Sequence, residues 1–140
     1  MAKKDVSDTR FPVPKPLASH GPARTIAMCN QKGGVGKTTS TINIAASLAE
    51  YGRKVLLVDF DPQGALSAGL GINAYDDSAT VYDLLKDRNL HPHDVIVKTS
   101  VPNLDVIPAN IDLSAAEVQL ISEVGRETIL RKALKKVEDE

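Results

Sequence analysis

The stretch Asn30–Ser40, NQKGGVGKTTS, crowds Gly33, Gly34 and Gly36 between two lysines five residues apart, Lys32 and Lys37. Glycines let a backbone approach a ligand closely and adopt positive φ, so such a loop can turn several N–H groups toward one point. Where the loop runs into a helix, the helix end adds unpaired amides and partial positive charge, and an anion is the natural occupant. Lys37 is placed to reach the β- and γ-phosphates of a nucleotide, the Thr38 hydroxyl to ligate Mg²⁺, and Thr39 to donate to the α-phosphate, with Val35 completing the loop. One lysine is enough for that chemistry. Lys32 needs a separate reason.

A second group of reactive side chains lies in VDFDPQG, Val58–Gly64. In parallel α/β sheets ligands collect at the carboxyl ends of strands, so Asp59 and Asp61 are expected to face the phosphate loop. One residue apart on an extended chain, they point to opposite sides and need not share a task. Taken alone, D-x-D-P also suits a simple turn. His91 and His93 in HPH lack a cysteine or carboxylate partner at metal-binding spacing and read as a solvated loop. The closing run RKALKKVEDE reads as an exposed helix face with i,i+4 charge pairs rather than a nucleic-acid site.

These residues need elements to hold them. TIAMCN, residues 25–30, is a short apolar run ending at the glycine loop and predicts a buried strand, with Cys29 as a small core residue. From Lys37 to Tyr51 the chain carries Ile42, Ile44, Ala45, Ala46, Leu48 and Ala49, apolar on most faces, and predicts a helix wedged between other elements, stopped at Gly52. KVLLVDF, residues 54–60, predicts a parallel strand covered on both faces. Strand, helix and strand at this spacing make a right-handed crossover unit. DPQGALSAGLGI then reads as a small-residue loop. Thr80 followed by Asp83 approximates a capping box for a short helix to Lys86. NLDVIPAN, residues 103–110, predicts a strand stopped by Pro108, and residues 112–140 predict helix to the chain end with a break near Gly125. The sum is an α/β fold with a parallel sheet and flanking helices.

Bulk properties agree with one ordinary domain. The 140 residues are 42% hydrophobic and 25% charged, with a net charge of −1, which carries no overall nucleic-acid or membrane bias. A lone cysteine excludes an internal disulfide and fits a reducing cytoplasm. No apolar run approaches the ~20 residues of a membrane span. Residues 1–24 differ in texture. Pro12, Pro14 and Pro16 alternate, and Lys3, Lys4, Arg10, Lys15 and Arg24 outnumber Asp5 and Asp8, so this part is expected to be a disordered basic leader to a domain over residues 25–140.

The common phosphate-loop pattern G-x-x-x-x-G-K-[ST] requires a glycine where Gln31 stands. The pattern present, K-G-G-x-G-K-T-T over Lys32–Thr39, resembles the deviant Walker A motif of the ParA/MinD ATPases, with Lys32 in the place of their signature lysine. In that family the signature lysine reaches across an ATP-dependent homodimer to the nucleotide of the other subunit. The resemblance thus implies that Lys37 serves its own nucleotide and Lys32 its partner's. It further implies that Asp61 positions the attacking water and that Asp59 lies near the Mg²⁺ shell. DPQG with a small glycine-containing run after it, and VIPAN with DLSAAEVQL, resemble the ParA/Soj branch in particular, with Pro108 shaping a loop near the site.

The resemblance implies a P-loop ATPase that uses ATP and Mg²⁺. It would act in chromosome or plasmid partitioning, in the cytoplasm at the nucleoid, with no membrane role. A ParB-type partner would stimulate hydrolysis, and the dimer would bind DNA without sequence preference through a carboxyl-terminal half. Family members run to about twice this length, so the chain looks like the amino-terminal half, ending before the Walker B strand expected to pair beside residues 25–30. Rival readings are another deviant-Walker enzyme, MinD-like, an amide synthetase or a metal-cluster carrier, and a non-hydrolysing module that only senses nucleotide. A cluster carrier would call for a Cys-x-x-Cys, and Cys29 has no such partner.

Overall fold

The computed structural model describes residues 21–75 and 79–139. The expected leader therefore lies outside the described residues, apart from its last four positions. Among the described residues, short elements succeed one another after the glycine loop. The strands are β1 (Val55–Val58), β2 (Val97–Lys98) and β3 (Leu104–Ile107), and the helices are α1 (Lys37–Glu50), α2 (Ala65–Gly69), α3 (Val81–Lys86), α4 (Leu113–Gln119) and α5 (Ile129–Leu134), with 3₁₀ turns at Pro92–Asp94 and Arg126–Thr128.

Among the described residues the sheet has three strands in the order β1-β3-β2. β1 runs parallel to β3, with Val55 opposite Leu104 and Val58 opposite Ile107, while β2 lies antiparallel on the outer side of β3, Val97 facing Val106. The β1–β3 pair is parallel as expected, and the antiparallel β2 makes the sheet mixed. Its helices sit on both faces, and side-chain alternation assigns them. Leu57, Leu104 and Val106 pack with Ala45 and Ala49 of α1 and Leu66 of α2. Ile107 points the other way, toward Val81, Leu84 and Leu85 of α3, Leu113 and Ala116 of α4, and Ile129 of α5, with Leu56 and Val58 against the same cluster. A continuous V-L-L-V run is what a strand covered on both sides requires.

Several expectations need correction. Residues 25–30 form no strand, and all six are exposed, Cys29 included. An apolar run becomes a strand only when a neighbour accepts its ladder bonds, and the sheet as described offers it no adjacent strand. The run DPQGALSAGLGI is not all loop, because Ala65–Gly69 closes into α2. The closing segment breaks at Gly125 as expected, but its helices are shorter than expected. α4 stops at Gln119, Gly125 takes a left-handed conformation at φ 74°, and α5 ends at Leu134. α1 shows its sheet-facing side buried at Ala45 and Ala49 but leaves Ile44 46% exposed.

Other expectations agree with the structure. β3 stops immediately before Pro108, whose ring is buried and whose carbonyl accepts from the Val81 N–H at 2.8 Å. Asp83 Oδ2 accepts from the Thr80 N–H at 2.8 Å and its hydroxyl at 3.1 Å, so the capping box at the start of α3 is present.

Candidate functional site

The glycine loop delivers the chain into α1 through Gly36, which caps the helix in the left-handed region at φ 83° with no side chain supplying a hydrogen bond. No acidic residue occupies the first turn. The first bond of the helix runs from the Ser40 N–H to the Gly36 carbonyl at 2.8 Å, so the amides of Lys37, Thr38 and Thr39 have no acceptor within α1. This end of a fourteen-residue helix is suited to an anion by both its donors and its dipole. Around Gly33 and Gly34 the space that a Cβ would take is open, so the loop backbone is accessible.

Lys37 is half-buried and folds back over the loop, its Nζ donating to the Lys32 carbonyl at 3.2 Å. Lys32 itself is exposed, and its backbone N–H is held by Asn30 Oδ1 at 2.9 Å. Thr38 is half-buried, while Thr39 and Val35 are exposed. An open cleft of about 280 Å³ runs along this face, lined by Met28, Cys29, Asn30, Val35, Lys37 and Ser40 among others. Neither Asp59 nor Asp61 lines it.

The two aspartates occupy different surroundings. Asp59 follows β1, its N–H still bonded to the Ile107 carbonyl at 3.0 Å, and is only 2% exposed. Its Oδ2 accepts from the Ser67 N–H at 2.9 Å and the Ser67 hydroxyl at 2.7 Å, and its Oδ1 accepts from the Asp61 N–H at 3.2 Å. Asp61 is exposed and closes the DPQG turn on itself. Its Oδ1 accepts from the Gln63 N–H at 3.0 Å and its carbonyl from the Gly64 N–H at 2.8 Å. Gly64 has φ 60°, and a Cβ there would stand 2.7 Å from the Ala109 carbonyl oxygen, so no larger residue fits.

Ser67 escaped the sequence reading. It is 1% exposed, on α2, and its Oγ also accepts from the Ala109 N–H at 3.3 Å. The available signal was slight, a hydroxyl within a run of small residues eight positions after Asp59. His91 and His93 stack at 5.1 Å and serve a turn, His91 Nδ1 accepting from the His93 N–H at 3.4 Å. A larger cavity of about 330 Å³ lies between α3 and α4, crossed by the Arg88–Glu123 ion pair at 2.6 Å. It has no glycine loop and no free helix N-terminus, unlike the smaller cleft, whose lining includes Gly36 and Lys37.

Comparison with known proteins matches this arrangement to a family. The AAA domain family model covers residues 23–140. An uncharacterized protein of Mycobacterium tuberculosis is 60% identical over 129 residues, which are 92% of this chain and 41% of that protein. The chromosome-partitioning ATPase Soj of Treponema pallidum is 53% identical over 116 residues, covering 83% of this chain and 44% of its own length. Among solved structures, a cobyrinic acid a,c-diamide synthase of Mycobacterium smegmatis with bound ATP analogue and magnesium superposes with a TM-score of 0.74 at 44% identity, over 79% of this chain and 44% of that one. The chain spans less than half the length of these relatives. With its glycine loop, its DPQG turn and these matches, the chain belongs to the AAA domain family and is of the ParA/Soj type, corresponding to the amino-terminal part of those proteins.

Proposed function

We propose that this chain is the nucleotide-binding part of an ATP-dependent dimerisation switch that hydrolyses ATP in the partitioning of chromosomes or plasmids. The observation that carries the reading is K-G-G-V-G-K-T-T folded as an uncapped helix entrance with an accessible glycine backbone. The donor set suits ATP and Mg²⁺. Three amides without an acceptor in α1 and the Lys37 ammonium meet phosphate oxygens, and the Thr38 hydroxyl is a ligand of the hard type that Mg²⁺ accepts. Mg²⁺ keeps several waters and leans on substrate phosphates, so a closed cage of carboxylates is not required. Bound there, ATP supplies the phosphoryl group and Mg²⁺ offsets its charge.

The chain's own residues would divide the work. Backbone donors of residues 33–39, with Val35 in the loop, hold the triphosphate. Lys37 moves from the Lys32 carbonyl to phosphate oxygen, exchanging a neutral acceptor for a charged one. Asp61 orients the attacking water, and Asp59 belongs to the surroundings of the ion. Lys32, exposed on the loop, serves the nucleotide of a second subunit, which ties hydrolysis to assembly. A cation delivered this way raises phosphoryl-transfer rates by about 10³–10⁵ in other enzymes that supply it in trans. The dimer binds DNA without sequence preference through the part of the protein that this chain does not span, and a ParB-type partner stimulates turnover at the nucleoid.

The test is made on the full-length protein. ATP with Mg²⁺ should double the mass seen by light scattering and release phosphate, and DNA with a ParB-type partner should accelerate release. Lys32→Gln should keep nucleotide affinity within about threefold yet lose both dimer and hydrolysis. A wild-type dimer in that variant would rule out a lysine acting in trans. The match to a diamide synthase supports one rival. Phosphate release only when cobyrinic acid and an amide donor are both supplied would establish that reading instead.

A further inference from the structure

We propose that Ser67 is a positioning residue for Asp61, acting through the buried carboxylate of Asp59; this rests on the reading of Asp61 as the residue that orients water. A carboxylate 2% exposed must have its oxygens bonded, and Asp59 takes two of its three bonds from Ser67, including the shortest, 2.7 Å from the hydroxyl. The hydroxyl has one proton and gives it to Asp59, so its lone pairs are left for the Ala109 N–H at 3.3 Å. The direction of the chain of bonds is therefore fixed. Ala109 donates to Ser67, Ser67 donates to Asp59, and Asp59 Oδ1 receives the Asp61 N–H at 3.2 Å.

This relay joins the exit of β1 and α2, eight residues apart, to the exit of β3, 42 positions further along the chain. The DPQG turn is closed internally by the Asp61 side chain and carbonyl, so those bonds shape the turn but do not aim it. Its aim relative to the sheet comes from the Asp59 contact to the Asp61 amide and the seating of Gly64 beneath the Ala109 carbonyl. Deleting one hydroxyl removes the shortest bond to Asp59 and orphans the Ala109 N–H together. Asp61, exposed and two residues along, then loses its fixed bearing while the phosphate loop stays as it was.

The experiment compares Ser67→Ala, Ser67→Thr and the wild type in the full-length protein. In nucleotide-free protein, hydrogen exchange at the Asp61 and Ala109 amides should quicken about tenfold in Ser67→Ala and stay at wild-type rates in Ser67→Thr, which keeps the hydroxyl. Asp59→Asn should repeat the alanine result. In hydrolysis assays Ser67→Ala should lower kcat about tenfold while KM for ATP stays within about twofold, with Ser67→Thr restoring kcat. Unchanged exchange and kcat in Ser67→Ala would overturn the proposal, as would equal damage by threonine or a matching loss of ATP affinity. A wild-type protein without ATPase activity would remove the role of Asp61 itself, and the exchange rates would then judge the anchor separately.

Discussion

Lys37 and Asp61 are both charged, yet the structure gives them different connections, and their loss should have different effects. The Lys37 ammonium rests on a neutral carbonyl at 3.2 Å, a bond easily exchanged for a phosphate oxygen. Asp61 is exposed, and among the described residues its side chain bonds only locally, to the Gln63 amide. In the full-length protein, Lys37→Ala should weaken ATP binding by about a hundredfold, as loss of a charge-assisted contact does. Asp61→Ala should leave affinity within about threefold and reduce turnover about a hundredfold, accumulating an ATP-bound dimer. Nucleotide titration and phosphate release separate the two. Equal losses of affinity would mean that Asp61 holds the nucleotide and does not orient water. At this scale the loop was legible because its signal is local, glycines and lysines at fixed offsets. Ser67 was not, since its bond to Ala109 spans 42 positions and no residue near either partner announces it.

Elements divide in the same way between local and distant causes. α3 was readable from two residues, Thr80 and Asp83, because a capping box is complete within one turn. Thr80→Ala should remove the hydroxyl's bond to Asp83 and destabilise the full-length protein by about 1 kcal/mol in urea denaturation, leaving ATP affinity unchanged. A wild-type midpoint would show that the Thr80 N–H, bonded to the same oxygen at 2.8 Å, does the capping unaided. β1 was readable because V-L-L-V needs cover on both faces and two helical layers give it. The run at residues 25–30 has the composition of a strand but not its partner, and composition cannot supply a ladder of hydrogen bonds. β2, two residues long, is defined by β3 rather than by its own pattern. α2 was hidden by the glycines at its ends, although Ala65, Leu66 and Ala68 between them favour a helix.

For the whole molecule the question is how well these layers close. The chain spans 41–44% of the length of the relatives described above. Its α3–α4–α5 side is well filled, with Val81, Leu84, Val95 and Ile107 wholly buried. Elsewhere large apolar side chains stand in water. Ile26 is 70% exposed, Phe60 56%, Ile44 46% and Met28 42%, and the apolar run leading to the phosphate loop belongs to no sheet. Leaving a large apolar side chain in water forgoes about 1.5–3 kcal/mol each, against a typical total stability of only ~5–15 kcal/mol. Extended apolar backbone without a pairing partner also invites association between chains. Residues 1–140 alone should therefore bind a hydrophobic dye, melt over a broad range in calorimetry and hold ATP at least tenfold more weakly than the full-length protein, because the phosphate loop hangs from the least supported segment. The full-length protein should show none of these traits. A sharp melt of residues 1–140 with full-strength ATP binding would mean that residues 25–30 need no neighbouring strand, and that the phosphate loop is held by α1 alone.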